Sequence, residues 1–221
     1  MSRPTEPIAL RGRSELSTLG FKPRDFEVFA VEGFSARMGL LYEHVRPRLV
    51  KLGFELAPEL SRKLHLESFP HVARHARRTV NPPAETWAAF GPSPKGYKRY
   101  GYLALCISQA GLHARAVVKS EADHRPEMGA KIRAKASELA KSFRGAKIAH
   151  YERWDFRNLP ATVAAEPNFF EAIADALDHK TGVLDVGFGW KVRDALHLER
   201  AELLEAFAEL EPLYRILRSV S

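Results

Sequence analysis

Tyr100-Gly-Tyr-Leu-Ala-Leu-Cys-Ile-Ser-Gln-Ala-Gly-Leu-His-Ala-Arg-Ala-Val-Val-Lys119 is the stretch whose reading decides the fold. A short run rich in aromatic and aliphatic residues, up to Ser108, is followed at Gln109-Ala-Gly111 by turn chemistry, and Leu112 to Lys119 then resumes. That pattern predicts a β-hairpin. Just upstream, Thr86-Trp-Ala-Ala-Phe90 has the same texture, so the whole interval 69–118 reads as strands. Further strands are expected over 146–153 and 183–190, and the two glycines of the latter, Gly187 and Gly189, suit a close backbone approach or a bulge rather than a phosphate site. Helical spacing surrounds this block. Pro23 and Asp25 start a short helix through Phe26 and Phe29, and Met38, Leu41, Tyr42, Val45 and Leu49 recur at intervals of three and four after Ser35, with Pro47 as a kink or break. Helices are also expected over 58–64, 126–142, 166–179 and 199–217, the last bent or broken at Pro212. The fold class is therefore α+β: a central antiparallel sheet, with a mixed one as the alternative, of about four to six strands, packed by helices from the N-terminal and C-terminal thirds.

With 221 residues, 45% of them hydrophobic, the chain can bury a substantial core. No linker-like tract divides it, so 21–221 is expected to form one domain, while residues 1–20, with Pro4, Pro7, Gly12 and Gly20, read as a loose arm. No apolar run reaches the length of a signal peptide or a membrane span, and the expectation is a cytoplasmic protein with no membrane partner. The single cysteine, Cys106, lies within an apolar strand pattern; it excludes an intramolecular disulfide and a cysteine-rich metal site, and reads as a buried structural thiol.

The charge is not spread evenly. His71-Val-Ala-Arg-His-Ala-Arg-Arg-Thr-Val-Asn-Pro-Pro83 holds three arginines and two histidines and no acid. Over 68–100 there are six Lys or Arg against one acid, Glu85, which accounts for five of the chain's seven excess positive charges. Local fields of one sign raise the concentration of oppositely charged ligands, and guanidinium forks match phosphate or carboxylate oxygens two at a time. The expected partner is a phosphate-bearing anion, a nucleotide or nucleic acid, with Arg74, Arg77, Arg78, Asn81, Lys95, Tyr97 and Lys98 as ligand-binding residues. Asn81 would also shape its turn, and the cations interleaved with Tyr97 and Tyr100 suit phosphate contact and base stacking. The segment alternates as a strand with Arg74 and Arg78 on one face and His71, His75 and Arg77 on the other, whereas as a helix it would gather the arginines; the Asn81-Pro-Pro83 loop favours the strand. The bland alternative pairs these arginines with acids on neighbouring helices, such as Asp25, Glu27, Glu32 and Glu43. His71 and His75 are candidates for acid or base work in an enzyme acting on a phosphorylated small molecule. A metal is not expected at them, since arginines surround the pair and a strand would hold the two about 13 Å apart. No cofactor is expected. A third possibility is a scaffold that docks an acidic protein. Trp87, beside Ala88, Ala89 and Phe90, reads as core.

Gly20-Phe21, Asp25-Phe26-x-x-Phe29, Gly33-x-x-x-Arg37-Met38, Arg46-Pro47-x-Leu49, the segment from His71 to Pro83, Thr86-Trp87-x-x-Phe90 and Gly96-Tyr97-Lys98 together resemble the YktB-like family, a bacterial family of unknown function. The resemblance runs from about Gly20 to Lys98, with an echo at Pro212-Leu-Tyr-Arg215. Arg74 stands where lysine is usual in that family, which keeps the charge, and Gly101-Tyr102 stands where His-Phe is common, so no histidine follows the Gly-Tyr-Lys motif here. The resemblance implies a compact α+β fold and no particular activity.

Overall fold

A computed structural model describes residues 18–219. Helices come first: α1 (Pro23–Glu27), a 3-10 turn (Val28–Ala30), α2 (Phe34–Leu40), a π-helical turn (Leu41–Val45) and α3 (Arg46–Leu64). Then follow β1 (Phe69–Val72), β2 (Glu85–Gly91), β3 (Tyr102–Ser108), β4 (Gly111–Val118), α4 (Arg125–Ala134), α5 (Ala136–Ser142), β5 (Lys147–His150), β6 (Thr162–Ala164), α6 (Pro167–Asp178), β7 (Leu184–Lys191), α7 (Val192–Ala195), α8 (Arg200–Glu209) and α9 (Glu211–Arg218). The strands form one sheet in the order β1-β2-β3-β4-β7-β5-β6, and every pairing is antiparallel. The α+β class and the antiparallel sheet hold; the sheet has seven strands rather than four to six.

Side-chain alternation divides the sheet into two unlike faces. Leu103, Leu105 and Ile107 of β3 and Leu112, Ala114, Ala116 and Val118 of β4 face the helices and join one core with Leu49, Leu56 and Leu60 of α3 and Phe207, Leu213 and Leu217 further on. Each such apolar side chain contributes roughly 1.5–3 kcal/mol by leaving water. The opposite face carries Ala89, Tyr102, Ala104, Cys106 and Val117, and loops cover it. Tyr97 lies edge-on to Tyr102 at 4.7 Å, and Tyr151 and Trp154 close over β4. Cys106 is buried, and burial pushes its thiol far up, consistent with a structural role.

The predicted hairpin forms with Ser108 paired to Gly111 and only Gln109 and Ala110 between the strands. Gly111 sits at φ +145°, and a Cβ there would fall 1.8 Å from the Trp190 carbonyl oxygen. At Gly187 a Cβ would lie 2.0 Å from the Ala114 oxygen, so this glycine serves close strand packing, while at Gly189 a Cβ would lie 2.6 Å from the Tyr151 hydroxyl, so that glycine makes room for side chains.

Several expectations are corrected. The helix over 126–142 is two helices, parted at Lys135 (φ −109°, ψ 13°), whereas the one over 199–217 is broken next to Pro212, as expected, with Leu210 between its two parts. Conversely, 58–64 is the end of the single long α3, which tolerates Pro58 because that residue lies on the solvent side, where the freed Phe54 carbonyl can be hydrated. Pro47 falls within the first turn of α3, just past the π turn, where its missing N–H costs little. Of the expected loose arm, residues 1–17 lie outside the described residues, and its last residues are packed: Leu19 is buried and its N–H donates to the Leu198 carbonyl at 3.1 Å.

Candidate functional site at the open edge of the sheet

β1 is an edge strand, and the basic segment was expected to extend it. It does so only to Val72, with the Ala73 N–H still donating to the Trp87 carbonyl at 3.0 Å. Continuing the Val72–Ala88 register would set Arg77 and Arg78 opposite Pro83 and Pro82, which have no N–H to donate, so the ladder cannot propagate. The chain instead peels away. Arg46 donates to the Ala73 carbonyl (2.8 Å) and Tyr42 to the Arg74 carbonyl (2.9 Å), His75 takes a left-handed φ of 51°, and the Arg78 N–H closes a turn on the His75 carbonyl (2.9 Å). The expected strand from His71 through Arg78 is thus corrected to a strand, an anchored bend and an exposed turn.

The bend opens a cleft of about 890 Å³ that wraps the β1 edge. One wall is the outer face of α3, with Arg46, Val50 and Phe54 at four-residue spacing. Pro70, His71, Val72 and Arg74 form the floor, and the connection over 93–100, with Lys95, Tyr97, Lys98, Arg99 and Tyr100, forms the other wall. That wall is fixed from beneath. The Trp87 indole N–H donates to the Tyr97 hydroxyl at 3.0 Å, and Gly91 leaves room for Tyr97, whose Cβ would be 2.8 Å from an added methyl. Trp87 is accordingly half-buried on the loop-covered face rather than in the main core.

Of the residues read from sequence, the cleft brings together His71, Arg74, Lys95, Tyr97 and Lys98. Arg77, Arg78 and Asn81 lie outside it on the exposed turn, where Arg78 donates to the Asn81 carbonyl at 3.3 Å. Arg46 and Phe54 line it although sequence reasoning assigned neither a ligand role, and Arg99 and Tyr100, part of the basic aromatic stretch from Lys95, line it as well. Arg46 joins the lining because its guanidinium reaches from α3 to the Ala73 carbonyl at the bend.

No Asp or Glu lines the cleft among the described residues. Lys98 reaches Glu121 at 3.5 Å and Arg99 reaches Asp123 at 2.7 Å on the exposed outer side. Among the described residues, Arg46, Arg74, Arg77, Arg78 and Lys95 form no ion pair; Asp25, one acid offered as a partner, instead lies 3.5 Å from Arg48 and accepts from the Lys22 N–H.

The two histidines differ. His71 has its Nε2 2.8 Å from the Ser93 carbonyl, which can only accept, so Nε2 carries the proton and Nδ1 holds the lone pair of the neutral ring. That ring rests against Tyr97 with centroids 5.3 Å apart. His75 has its Nε2 3.0 Å from Thr86 Oγ1 and its ring edge-on to Trp87 at 5.4 Å. Burial first, then the fields of Arg78, Lys98 and Arg46, pull its pKa down to about 4, so it is neutral at neutral pH.

A second polar cluster lay unnoticed in the sequence because strand alternation would give it to solvent. Arg115, 1% exposed, bridges Glu85 (2.7 Å) and Asp185 (3.3 Å), with Lys119 3.5 Å from the same Asp185 oxygen. The Tyr151 ring lies 4.1 Å from the guanidinium and Trp154 5.2 Å, and His113 beside them is buried against Ser108 at 3.0 Å. The charges cancel within the cluster, which identifies it as a clasp for the loop-covered face.

Among the described residues, no helix is long and apolar enough to cross a membrane. Comparison with known proteins returns relatives of unassigned activity. The chain is 30% identical over 213 residues to a UPF0637 protein of Bacillus velezensis, covering 93% of this chain and 100% of that protein. It is 40% identical over 114 residues to a UPF0637 protein of Lysinibacillus sphaericus (52% of this chain, 54% of that protein), and 50% identical over 78 residues to one of Staphylococcus haemolyticus (35% and 38%). The family model described as "Domain of unknown function (DUF1054)" matches residues 21–214. The resemblance to an uncharacterised bacterial family is borne out, and the chain belongs to the DUF1054 family.

Proposed function

We propose that the cleft at the β1 edge binds a phosphate-bearing anionic ligand, a nucleotide or nucleic acid. One observation carries this reading: Arg46, Arg74 and Lys95, none of them in an ion pair among the described residues, line a concavity of ligand size with no carboxylate in its lining, beside Lys98 and Arg99, whose partners Glu121 and Asp123 stand outside it. Arg74 and Arg46 approach from the floor and the helix and Lys95 from the opposite wall, so a phosphate group between them meets donors from both sides. Phe54, Tyr97 and Tyr100 add apolar and aromatic surface next to the charge, which inorganic anions do not use and bases do. Calorimetric titration with AMP tests the reading. Wild type is expected to bind, and Arg74→Ala combined with Lys95→Ala to weaken binding at least tenfold while the far-UV spectrum is kept. Equal affinity in the double variant would overturn it.

A second reading, hydrolysis or transfer at the bound phosphate, is favoured by the held tautomer of His71. With Nε2–H fixed on the Ser93 carbonyl, Nδ1 is the atom left to accept a proton from an attacking hydroxyl or water. His75 is the weaker of the two candidates, being tied to Thr86 and lying outside the cleft lining. Turnover of a phosphoester panel that is lost in His71→Gln with AMP binding retained would support this reading; no turnover across the panel would remove it.

A further inference from the structure

We infer that the ligand is a single-stranded nucleic acid running from the cleft across the Arg74–Arg78 turn, rather than a free mononucleotide; this rests on the reading of the cleft as a phosphate site. A mononucleotide would leave two features without use. First, the cations do not stop at the cleft. Arg77 and Arg78 stand exposed on the turn and form no ion pair among the described residues. Arg74 and Arg46 line both the cleft and the crevice next to it, where Tyr42, His75 and Thr86 lie, so the basic surface is continuous from Lys95 past Arg74 towards the turn. His75 feels Arg78, Lys98 and Arg46 together, which independently puts turn, loop and helix cations around one point.

Second, aromatic surface is repeated along this track. Phe54 is 68% exposed on the cleft wall and Tyr42 is 48% exposed at the crevice, with its hydroxyl tied to the Arg74 carbonyl. Twelve helical residues separate them, about 18 Å at 1.5 Å per residue, and Arg46 lies between. One exposed ring by itself would be ordinary, so it is the placement of the two rings that is informative. Set at intervals beside unpaired guanidinium groups, they match the alternation of base and phosphate along an unpaired strand, whose bases are free to stack. A duplex hides its bases from such rings.

The test is fluorescence anisotropy with a labelled oligouridylate of about eight nucleotides, run beside AMP titration at about 50 and 200 mM salt. The oligomer is expected to bind at least tenfold more tightly than AMP. Arg77→Ala with Arg78→Ala should weaken the oligomer alone and reduce its log–log salt slope by about 1.4, two phosphate contacts at roughly 0.7 each. Phe54→Ala with Tyr42→Ala should weaken the oligomer and leave the slope unchanged. Equal affinities for AMP and oligomer, or a double arginine variant that binds like wild type, would overturn the strand proposal and leave the phosphate cleft standing. Equal binding of a duplex of the same length, or full displacement by a polyglutamate peptide, would overturn it in favour of a backbone-only or an acidic-protein partner. Absence of binding by both AMP and oligomer would instead remove the cleft reading itself.

Discussion

Replacing Arg115 with methionine probes the clasp that holds the loop-covered face. The substitution keeps apolar volume and removes the charge, leaving Asp185, 7% exposed, with only Lys119 at 3.5 Å, and Glu85, 15% exposed, with its 2.7 Å partner gone. Breaking a buried pair by removing one partner costs about 3–5 kcal/mol. Lys119 and the partial hydration of Glu85 pull the figure towards the lower end, while loss of the guanidinium from the Tyr151 ring face adds about 1 kcal/mol. The expected destabilisation is about 4 kcal/mol, a fall in Tm of roughly 8–16 °C for a chain of this size. Urea unfolding followed by circular dichroism and by the fluorescence of Trp154, which lies 5.2 Å from the guanidinium, measures it. Neutralising the acids as well, in Arg115→Met/Glu85→Gln/Asp185→Asn, should recover about half of the loss or more, because the penalty is that of stranded charges. A single variant that costs under about 1 kcal/mol, or a triple variant less stable than the single one, would refute this account of the clasp.

Other consequences follow from the same packing. His75 is neutral in the fold down to a pKa of about 4 but takes up a proton near 6.5 when unfolded, so stability should decline as pH drops from about 6.5 to 4 and level off below; allowing for its partial exposure the loss is on the order of 2 kcal/mol. His75→Asn, which suits the left-handed φ of 51°, should flatten that part of the pH–stability curve, and an unchanged curve would count against His75 as its source. Gly187→Ala sets a methyl 2.0 Å from the Ala114 carbonyl oxygen on the paired strand; a loss of about 3 kcal/mol or failure to fold is expected, and near-wild-type urea unfolding would contradict the close approach. Arg46→Met should loosen the bend at Ala73 as well as weaken AMP, seen as faster hydrogen exchange over 73–78, whereas Lys95→Ala should weaken AMP without changing exchange.

The parts of this fold that were legible in the sequence are those whose signal is local. Leu103, Leu105 and Ile107 interleaved with Tyr102, Ala104 and Cys106, and the Gln109-Ala-Gly111 turn, specify a hairpin buried on both faces without reference to the rest of the chain. Thr162–Ala164 is three exposed residues long and exists as a strand only because β5 offers its edge. The break at Lys135 interrupts a pattern whose apolar spacing runs straight through, so tertiary packing decides it, whereas the one at Leu210 is marked locally by Pro212. The basic segment is an intermediate case: Pro82-Pro83 forbids the extension of β1, but the conclusion needs the Val72–Ala88 register. Charge clustering pointed to the region of the cleft, while Arg46 and Phe54, distant in sequence, join it through the packing of α3 on β1. His113 and Arg115 alternate like solvent-facing residues, and it is the Tyr151–Trp154 loop, far along the chain, that buries them.

The central claim is that the β1 edge cleft is where the anion sits. Amide chemical-shift mapping during titration with AMP tests it most directly. The account predicts saturable shifts confined to the cleft lining, residues 71–74, 95–100 and the α3 face at Arg46, Val50 and Phe54, with Gly96 and Tyr97 among the largest, and their loss in Arg74→Ala/Lys95→Ala. Shifts centred on a different concavity, such as that between Lys131 and Arg215 or that between Arg24 and Lys51, or no saturable shift at all, would contradict it.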